Sequence, residues 1–553
     1  MEEERIPISQ KSFESEGGGG ELSGKGVAPV KTINFLGSMA LIANNITGPA
    51  MIGLPLIYRQ AGILPTTACI LICWVLSSFG GTLLSETIQN LKGNQKFDKN
   101  IDFSYAFSKV VGKKWRIPVS VLVIISCGVN CIAGIVATSQ SLDSFIASFI
   151  LGKTYAIEVS YTNGFGVATW DSSGCKHASL GTDGVSIESK SKECTPFHNV
   201  HNSNIITLGY FVMFCIFYPL GTHDLKETIT AEIFSFFAFF FCIFQFLREF
   251  QDTGYPYISS VPLIGNDMKQ LAGVVLFNYA YGITIPSWLN EKKTNVSVNK
   301  IIWTSSAIST LCNIVFGILG AASFNKPGDD ILVTLASNKT SSLTQFAAAF
   351  FGLCMIGTGV PIFCVIVKNS LFQIGLFDLK WSTFYGSLFP YLISWYMYQG
   401  KSLIELVNWT GLLVSGLVAF ILPYIFALFA YNKKNNVRGI ISSPSLNIVT
   451  TGTSKSLEAS NAYKYSSIDN DEEDGRTSDD NSVASTIYHD DENIDKDNDN
   501  RVEVEENILV NPLLSSCLEP LRKTILIFGI FIFCCIISST LVINLESPPP
   551  SVN

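Results

Sequence analysis

An apolar run from about Ile33 to Tyr58, long enough to cross a bilayer, is interrupted at its centre by Ala43-Asn44-Asn45-Ile46-Thr47-Gly48-Pro49-Ala50-Met51-Ile52-Gly53-Leu54-Pro55. Two amides, a hydroxyl, two glycines and two prolines at that depth leave backbone groups without partners, and each one is costly in hydrocarbon. Such backbone is tolerated only inside protein or against a water-filled cavity. The segment therefore reads as two half-helices joined by an extended break. Pro49 holds Gly48 extended and suits the first position of a helix, so the second half-helix is expected to start at Pro49 or Ala50. Its free N–H groups carry about half an elementary charge and would seat a carboxylate. The carbonyls ending the first half-helix near Ala43, with the side-chain oxygens of Asn44 and Asn45, suit a small hard cation. The structural alternative is a Gly/Pro kink used for close helix packing.

The rest of the chain is as apolar as this run implies. Over 553 residues the mean hydropathy is +0.33, with 48% hydrophobic and only 15% charged residues, too apolar for a soluble protein of this size. The apolar residues fall in about eleven blocks: 33–58, 64–89, 117–150, 205–220, 228–247, 271–289, 301–322, 343–372, 383–398, 403–431 and 524–543. The expected fold is an all-α polytopic membrane protein of about eleven transmembrane helices. Lys92, Lys96, Lys99, Lys109, Lys113, Lys114 and Arg116 lie between blocks two and three, and Lys292, Lys293 and Lys300 between six and seven. By the positive-inside rule these loops and the N-terminus are cytoplasmic, and the C-terminal tail lies outside or in a lumen. Residues 1–30 are polar and Gly-rich, without a cleavable signal, and read as a disordered tail before a core spanning 31–431.

The net charge of -8 comes mostly from the segment between blocks ten and eleven, with runs such as Asp469-Asn470-Asp471-Glu472-Glu473-Asp474. Residues 432–518 cannot bury enough apolar surface to fold and read as a disordered, acidic cytoplasmic insert. It is a solubilising tether or a docking segment for cytoplasmic regulators, with Ser466 and Thr477 as candidate phosphorylation sites. Residues 519–553 then supply the last helix and a short tail. No composition here suits nucleic acid.

Between blocks three and four lies a polar loop, 151–204, on the outer face by parity. In an oxidising compartment its Cys175 and Cys194 read as a disulfide. His177, His198 and His201 nearby match no familiar metal-ligand spacing. Block five opens with Glu232 ahead of a Phe-rich run. Block eight places Thr358 beside Gly357 and Gly359 and before Pro361, either as a cation ligand or bonded back to its own helix.

The sixth block repeats the first anomaly. Its centre, Asn278-Tyr279-Ala280-Tyr281-Gly282-Ile283-Thr284-Ile285-Pro286, again sets polar residues and glycine before a helix-starting proline. Two interruptions five spans apart, running in opposite directions, are what inverted five-helix repeats produce, with a binding site between the broken helices. This pairing weighs against the packing-kink reading of the first block.

The run Asn44 to Pro55, Pro286-Ser287-Trp288 followed by Asn290-Glu291-Lys292-Lys293, Thr358-Gly359-Val360-Pro361 and the span count together resemble the amino acid/auxin permease family. The arrangement is similar to that of sodium-coupled neutral amino acid transporters and their vacuolar relatives, over about 31–431 and the last span. The resemblance implies a five-plus-five inverted-repeat fold working by alternating access. It further implies Asn44 and Thr358 as ion ligands, Thr358 with a one-residue offset. The substrate carboxylate would meet backbone N–H groups around Thr47, Gly48 and Ala50, beside Asn45, and its ammonium the carbonyls of the two broken helices. Asn278, Tyr279 and Tyr281 would shape the side-chain pocket. Many relatives carry Gly-x-Gly where this chain has Gly48-Pro49-Ala50. The first-span histidine and fifth-span lysine of some proton-linked relatives are missing, which leans towards sodium.

These readings converge on a secondary active transporter of amino acids, neutral ones by resemblance, in a plasma or vacuolar/lysosomal membrane. Its partners would be the amino acid and the lipid bilayer, with Na⁺ or H⁺ as coupling ion and no cofactor. The alternative is an amino-acid sensor signalling through the acidic insert with little net transport. No nucleophile/base constellation or phosphate loop speaks for an enzyme, and no ring-forming carboxylates or filter-like repeat for a channel.

Overall fold

The computed structural model describes residues 31–442 and 524–538, apart from 92, 161–163, 172–175, 181–185, 191–195, 198–202, 223–224, 325–329, 337–339, 376, 398–402, 525, 532 and 535. Helices are α1 (Phe35–Ile46), α2 (Leu54–Ala61), α3 (Ile63–Gln89), α4 (Phe103–Val111) and α5 (Arg116–Phe145). Next come α6 (Leu208–Thr222), α7 (Leu225–Asp252), α8 (Leu271–Asn278), α9 (Ile285–Glu291), α10 (Val298–Ser323) and α11 (Ile331–Leu335). The series closes with α12 (Ser342–Phe351), α13 (Gly357–Ile374), α14 (Leu379–Thr383), α15 (Phe389–Met397), α16 (Leu403–Thr410), α17 (Leu422–Ser442) and α18 (Leu526–Ser538).

Most of the described helical segments fall largely within the expected apolar blocks. Among the described residues six helical stretches are long and apolar enough to cross a membrane, or seven if the bent pair α1 and α2 counts as one. The molecule is a polytopic helical membrane protein. Hydrocarbon drives this outcome, because a helix satisfies all of its backbone internally. Outward faces are correspondingly greasy, with Phe234, Phe237 and Phe244 of α7 all exposed. The Phe-rich run of the fifth block is divided between this outward face and the core, where Phe236, Phe239 and Phe246 are buried.

Local chemistry sets the ends. Asn34 caps α1 by accepting from the Gly37 N–H at 2.8 Å. Gly62, at φ +95°, reverses the chain between α2 and α3 where a Cβ would lie 2.6 Å from the Gly265 nitrogen. Several long helices loosen into wider, π-type turns, notably Gly352–Ile356 between α12 and α13 and Gly411–Ile421 between α16 and α17. Gly273 and Gly411 let α8 press against the start of that last stretch, since a Cβ on Gly411 would sit 2.1 Å from the Gly273 carbonyl oxygen.

The segment 151–204, expected as a polar loop, carries strands. β1 (Thr154–Ser160), β2 (Gly164–Asp171), β3 (Lys176–Leu180), β4 (Ser186–Lys190) and β5 (Ser203–Thr207) form an antiparallel sheet in the order β4-β3-β2-β1-β5. Alternation explains it: Thr154, Ala156 and Glu158 are buried while Tyr155, Ile157 and Val159 are exposed. Asp143, at the end of α5, pins the sheet by accepting from the Thr154 hydroxyl and the Gly209 N–H, both at 2.8 Å. Cys175 and Cys194 lie outside the described residues, as do the N-terminal tail and residues 443–523. The expected core boundary at 431 is crossed by α17, which continues to Ser442.

Candidate functional site

Both expected breaks are present. After α1 the Thr47 N–H and hydroxyl both bond to the Ala43 carbonyl, at 3.0 and 2.9 Å. Pro49 and Ala50 then form a turn closed by the Met51 N–H on the Gly48 carbonyl at 3.1 Å. A 3₁₀ turn, Met51–Gly53, leads into α2 with Pro55 in its first turn. The second half-helix therefore starts at Met51, later than Pro49 or Ala50, because the i→i+3 bond across those two residues makes a turn of them. The axes of the two halves differ by 46°.

The sixth block breaks likewise. α8 ends at Asn278, a 3₁₀ turn spans Ala280–Ile283, and α9 begins with Pro286 in its first turn. The breaks meet: Asn45 Nδ2 donates to Thr284 Oγ1 at 3.3 Å, and Trp288 Nε1 of α9 donates to Ser38 Oγ of α1 at 2.9 Å.

Between them lies a hollow of about 370 Å³ of non-atom space, its mouth included. The first break contributes Asn44, Asn45, Gly48 and Pro49, and the second Phe277 and Asn278. α5 adds Asn130 and Gly134. The loosened turn before α13 and the start of α13 complete the wall with Met355, Ile356, Gly359, Val360 and Phe363. No wall residue is ionisable. The oxygens Asn44 Oδ1 and Asn278 Oδ1 are buried and have no hydrogen-bond partner, whereas Asn130 Nδ2 bonds back to the Ser126 carbonyl at 2.8 Å. Backbone is bare at Gly48, where an added Cβ would meet only the Asn45 carbonyl oxygen at 3.7 Å.

Of the residues singled out from the sequence, Asn44, Asn45, Gly48 and Asn278 lie in this wall. Thr47 and Ala50 are buried beside it, outside the lining, and the Thr47 N–H is committed to its own helix. Tyr279 and Tyr281 also lie outside the lining. The Tyr279 hydroxyl bonds to Thr310 of α10 at 2.6 Å and the Tyr281 hydroxyl to Ser78 of α3 at 3.2 Å. Thr358 adjoins the lining residue Gly359; its hydroxyl donates to the Cys354 carbonyl of its own helix at 2.6 Å and reaches Ser235 Oγ of α7 at 3.3 Å.

Sequence reasoning gave no role to Glu232. It is fully buried in α7, and its Oε2 accepts from Asn44 Nδ2 at 2.5 Å. The signal available was the carboxylate itself, near the start of a span of aromatic residues.

A multi-pass helical protein in which two broken helices close on a wall of amides and apolar side chains has the build of a membrane carrier for small solutes. Residues 31–165 match the family model described as transmembrane amino acid transporter protein. Over that stretch the chain is similar to a family of transmembrane amino acid transporters. The matched stretch runs from ahead of α1 to the start of β2 and so includes the first break. No curated protein matches the chain.

Proposed function

We propose that the chain is a secondary active transporter that moves neutral amino acids by alternating access, in a five-plus-five inverted-repeat fold, with Na⁺ or H⁺ as coupling ion. The observation that carries the reading is the un-ionisable hollow shared by the two breaks. A zwitterion needs two complementary ends and no net charge between them. The bare backbone at Gly48, ahead of the second half-helix, suits the carboxylate. The unpartnered oxygens of Asn44 and Asn278 suit the ammonium, since buried acceptors left unpaired are costly until a donor arrives. Phe277, Val360 and Phe363 would pack an apolar side chain, and a charged side chain has no counter-ion there. By the lysine-rich loops the N-terminus faces the cytoplasm.

Purified protein in liposomes, given a panel of labelled amino acids with and without imposed Na⁺ and pH gradients, tests this. Gradient-dependent accumulation of neutral amino acids is the expected result. Preference for cationic or anionic ones, or no uptake under any gradient, overturns the reading.

A further inference from the structure

We propose that the start of α5 and the turn leading into α14 form one site for the headgroup of an anionic phospholipid. Lys113, Lys114, Arg116 and Lys380 are its cations, and Trp115 and Trp381 its anchors. The inference needs only that the chain spans a membrane, and it holds whichever solute the hollow carries.

Both segments lie at one end of the bundle, joined where Arg116 Nη2 donates to the Gln373 carbonyl near the end of α13 at 2.5 Å. Lys113, Lys114 and Lys380 are exposed. Trp115 and Trp381 are 52% and 56% exposed, as indoles are at a membrane–water interface. Directly beyond Trp115 the stripe Ile117, Val121 and Ile125 of α5 is exposed too, and Leu379 and Phe384 flank Trp381. The cations therefore stand at the rim of a surface made for acyl chains.

These cations lack a counter-charge. Among the described residues none of the four makes an ion pair, and Arg116 Nε is buried without a hydrogen-bond partner. Asp102 is engaged in capping α4, accepting from the Tyr105 N–H at 2.7 Å and the Ser104 hydroxyl at 2.8 Å. Asp378 pairs with none of the four. The Tyr105 ring instead holds the Arg116 guanidinium at 5.6 Å and the Lys109 ammonium at 5.2 Å, keeping a further positive charge close by. Like charges gathered without an acid repel one another, and an anion relieves them. A phosphate group offers acceptors that match the free N–H groups of a guanidinium, and basic segments beside a span are drawn to anionic leaflets. Free phosphate would leave the apolar rim uncovered, whereas a lipid brings the chains that cover it.

The test uses the full-length protein in detergent micelles, titrated with dioctanoyl phosphatidylserine, dioctanoyl phosphatidylcholine or inorganic phosphate while the thermal unfolding midpoint is followed. Phosphatidylserine alone should raise the midpoint and saturate, as binding to the folded state requires. Combining Lys113→Gln, Lys114→Gln and Lys380→Gln, all at exposed positions, should leave the lipid-free midpoint near wild type. Half-saturating phosphatidylserine should then rise about 100-fold, since each cation beside an anionic headgroup is worth about a factor of five. Lys96→Gln, Lys293→Gln and Lys300→Gln together remove as many exposed charges elsewhere and should shift half-saturation by less than about twofold. A wild-type midpoint indifferent to phosphatidylserine, or an equal rise with phosphatidylcholine or inorganic phosphate, overturns the proposal. Equal weakening by the two triple variants overturns it as well, because the attraction would then be diffuse and not held at this site.

Discussion

The two helix breaks share a recipe and differ in what they expose. Each places polar residues and glycine ahead of a proline, and each resumes through a 3₁₀ turn. The first turns Asn44, Asn45, Gly48 and Pro49 to the hollow, with bare backbone at Gly48. The second offers only Phe277 and Asn278 and ties its tyrosine hydroxyls into α10 and α3. Ser77 of α3 adds a third tie by donating to the Tyr279 carbonyl at 2.7 Å. Unwinding a helix can therefore serve two ends: the first break opens side chains and backbone to the hollow, and the second is mostly braced scaffold with Phe277 and Asn278 presented to it.

Substitutions on the two sides should separate these roles. The largest effect is expected from Gly48→Val, whose branched side chain would stand in the hollow. Uptake should fall about 10–100-fold, by the cost of overfilling a fitted site, while membrane insertion and melting temperature stay near wild type. Normal uptake would end the claim that the first break receives the substrate. On the second break Asn278→Leu keeps volume and removes the oxygen, so KM should rise about tenfold, the worth of a hydrogen bond to a charged group. Tyr279→Phe deletes a scaffold bond only. It should lower stability by about 1 kcal/mol and leave KM within about twofold, and a large KM change would move Tyr279 into the receiving group.

A smaller effect is expected just past α9. There burial, aided by the nearby Lys31 ammonium, lowers the Lys292 ammonium to about 8. Its Nζ bonds to the Val296 carbonyl at 3.1 Å. A lysine depressed in the folded state costs stability below that pH, and the cost lifts as pH rises towards the ordinary lysine range. Melting temperature should therefore climb above about pH 8 in the wild type, and Lys292→Met should flatten the climb. Least of all should follow from deleting residues 443–506. A carrier keeps its uptake without them, whereas loss of signalling output alone would favour the sensor.

Much of this difference was open to inspection in the residues, and some was not. The breaks were legible because proline, glycine and amides in a membrane-length apolar run conflict with hydrocarbon, and that conflict is local. Which residues of a break face the hollow is not local. Tyr279 and Tyr281 look like pocket residues until α3 and α10 supply Ser78 and Thr310. Glu232 stood in plain view, but its meaning depends on Asn44 lying opposite, 188 positions away in the chain. The sheet between α5 and α6 was hidden for another reason: Tyr155, Ile157 and Val159 are exposed, so the stretch shows neither a helical period nor a polar exposed face.

One modest contact has a mechanical consequence. Thr32 and Ile33, just ahead of α1, donate their N–H groups to the Glu291 carbonyl at the end of α9, and the Lys293 N–H returns to the Ile33 carbonyl at 2.9 Å. With Trp288 also fastened to Ser38, α1 and α9 are stitched at two heights. Neither half-helix can then tilt without dragging its companion.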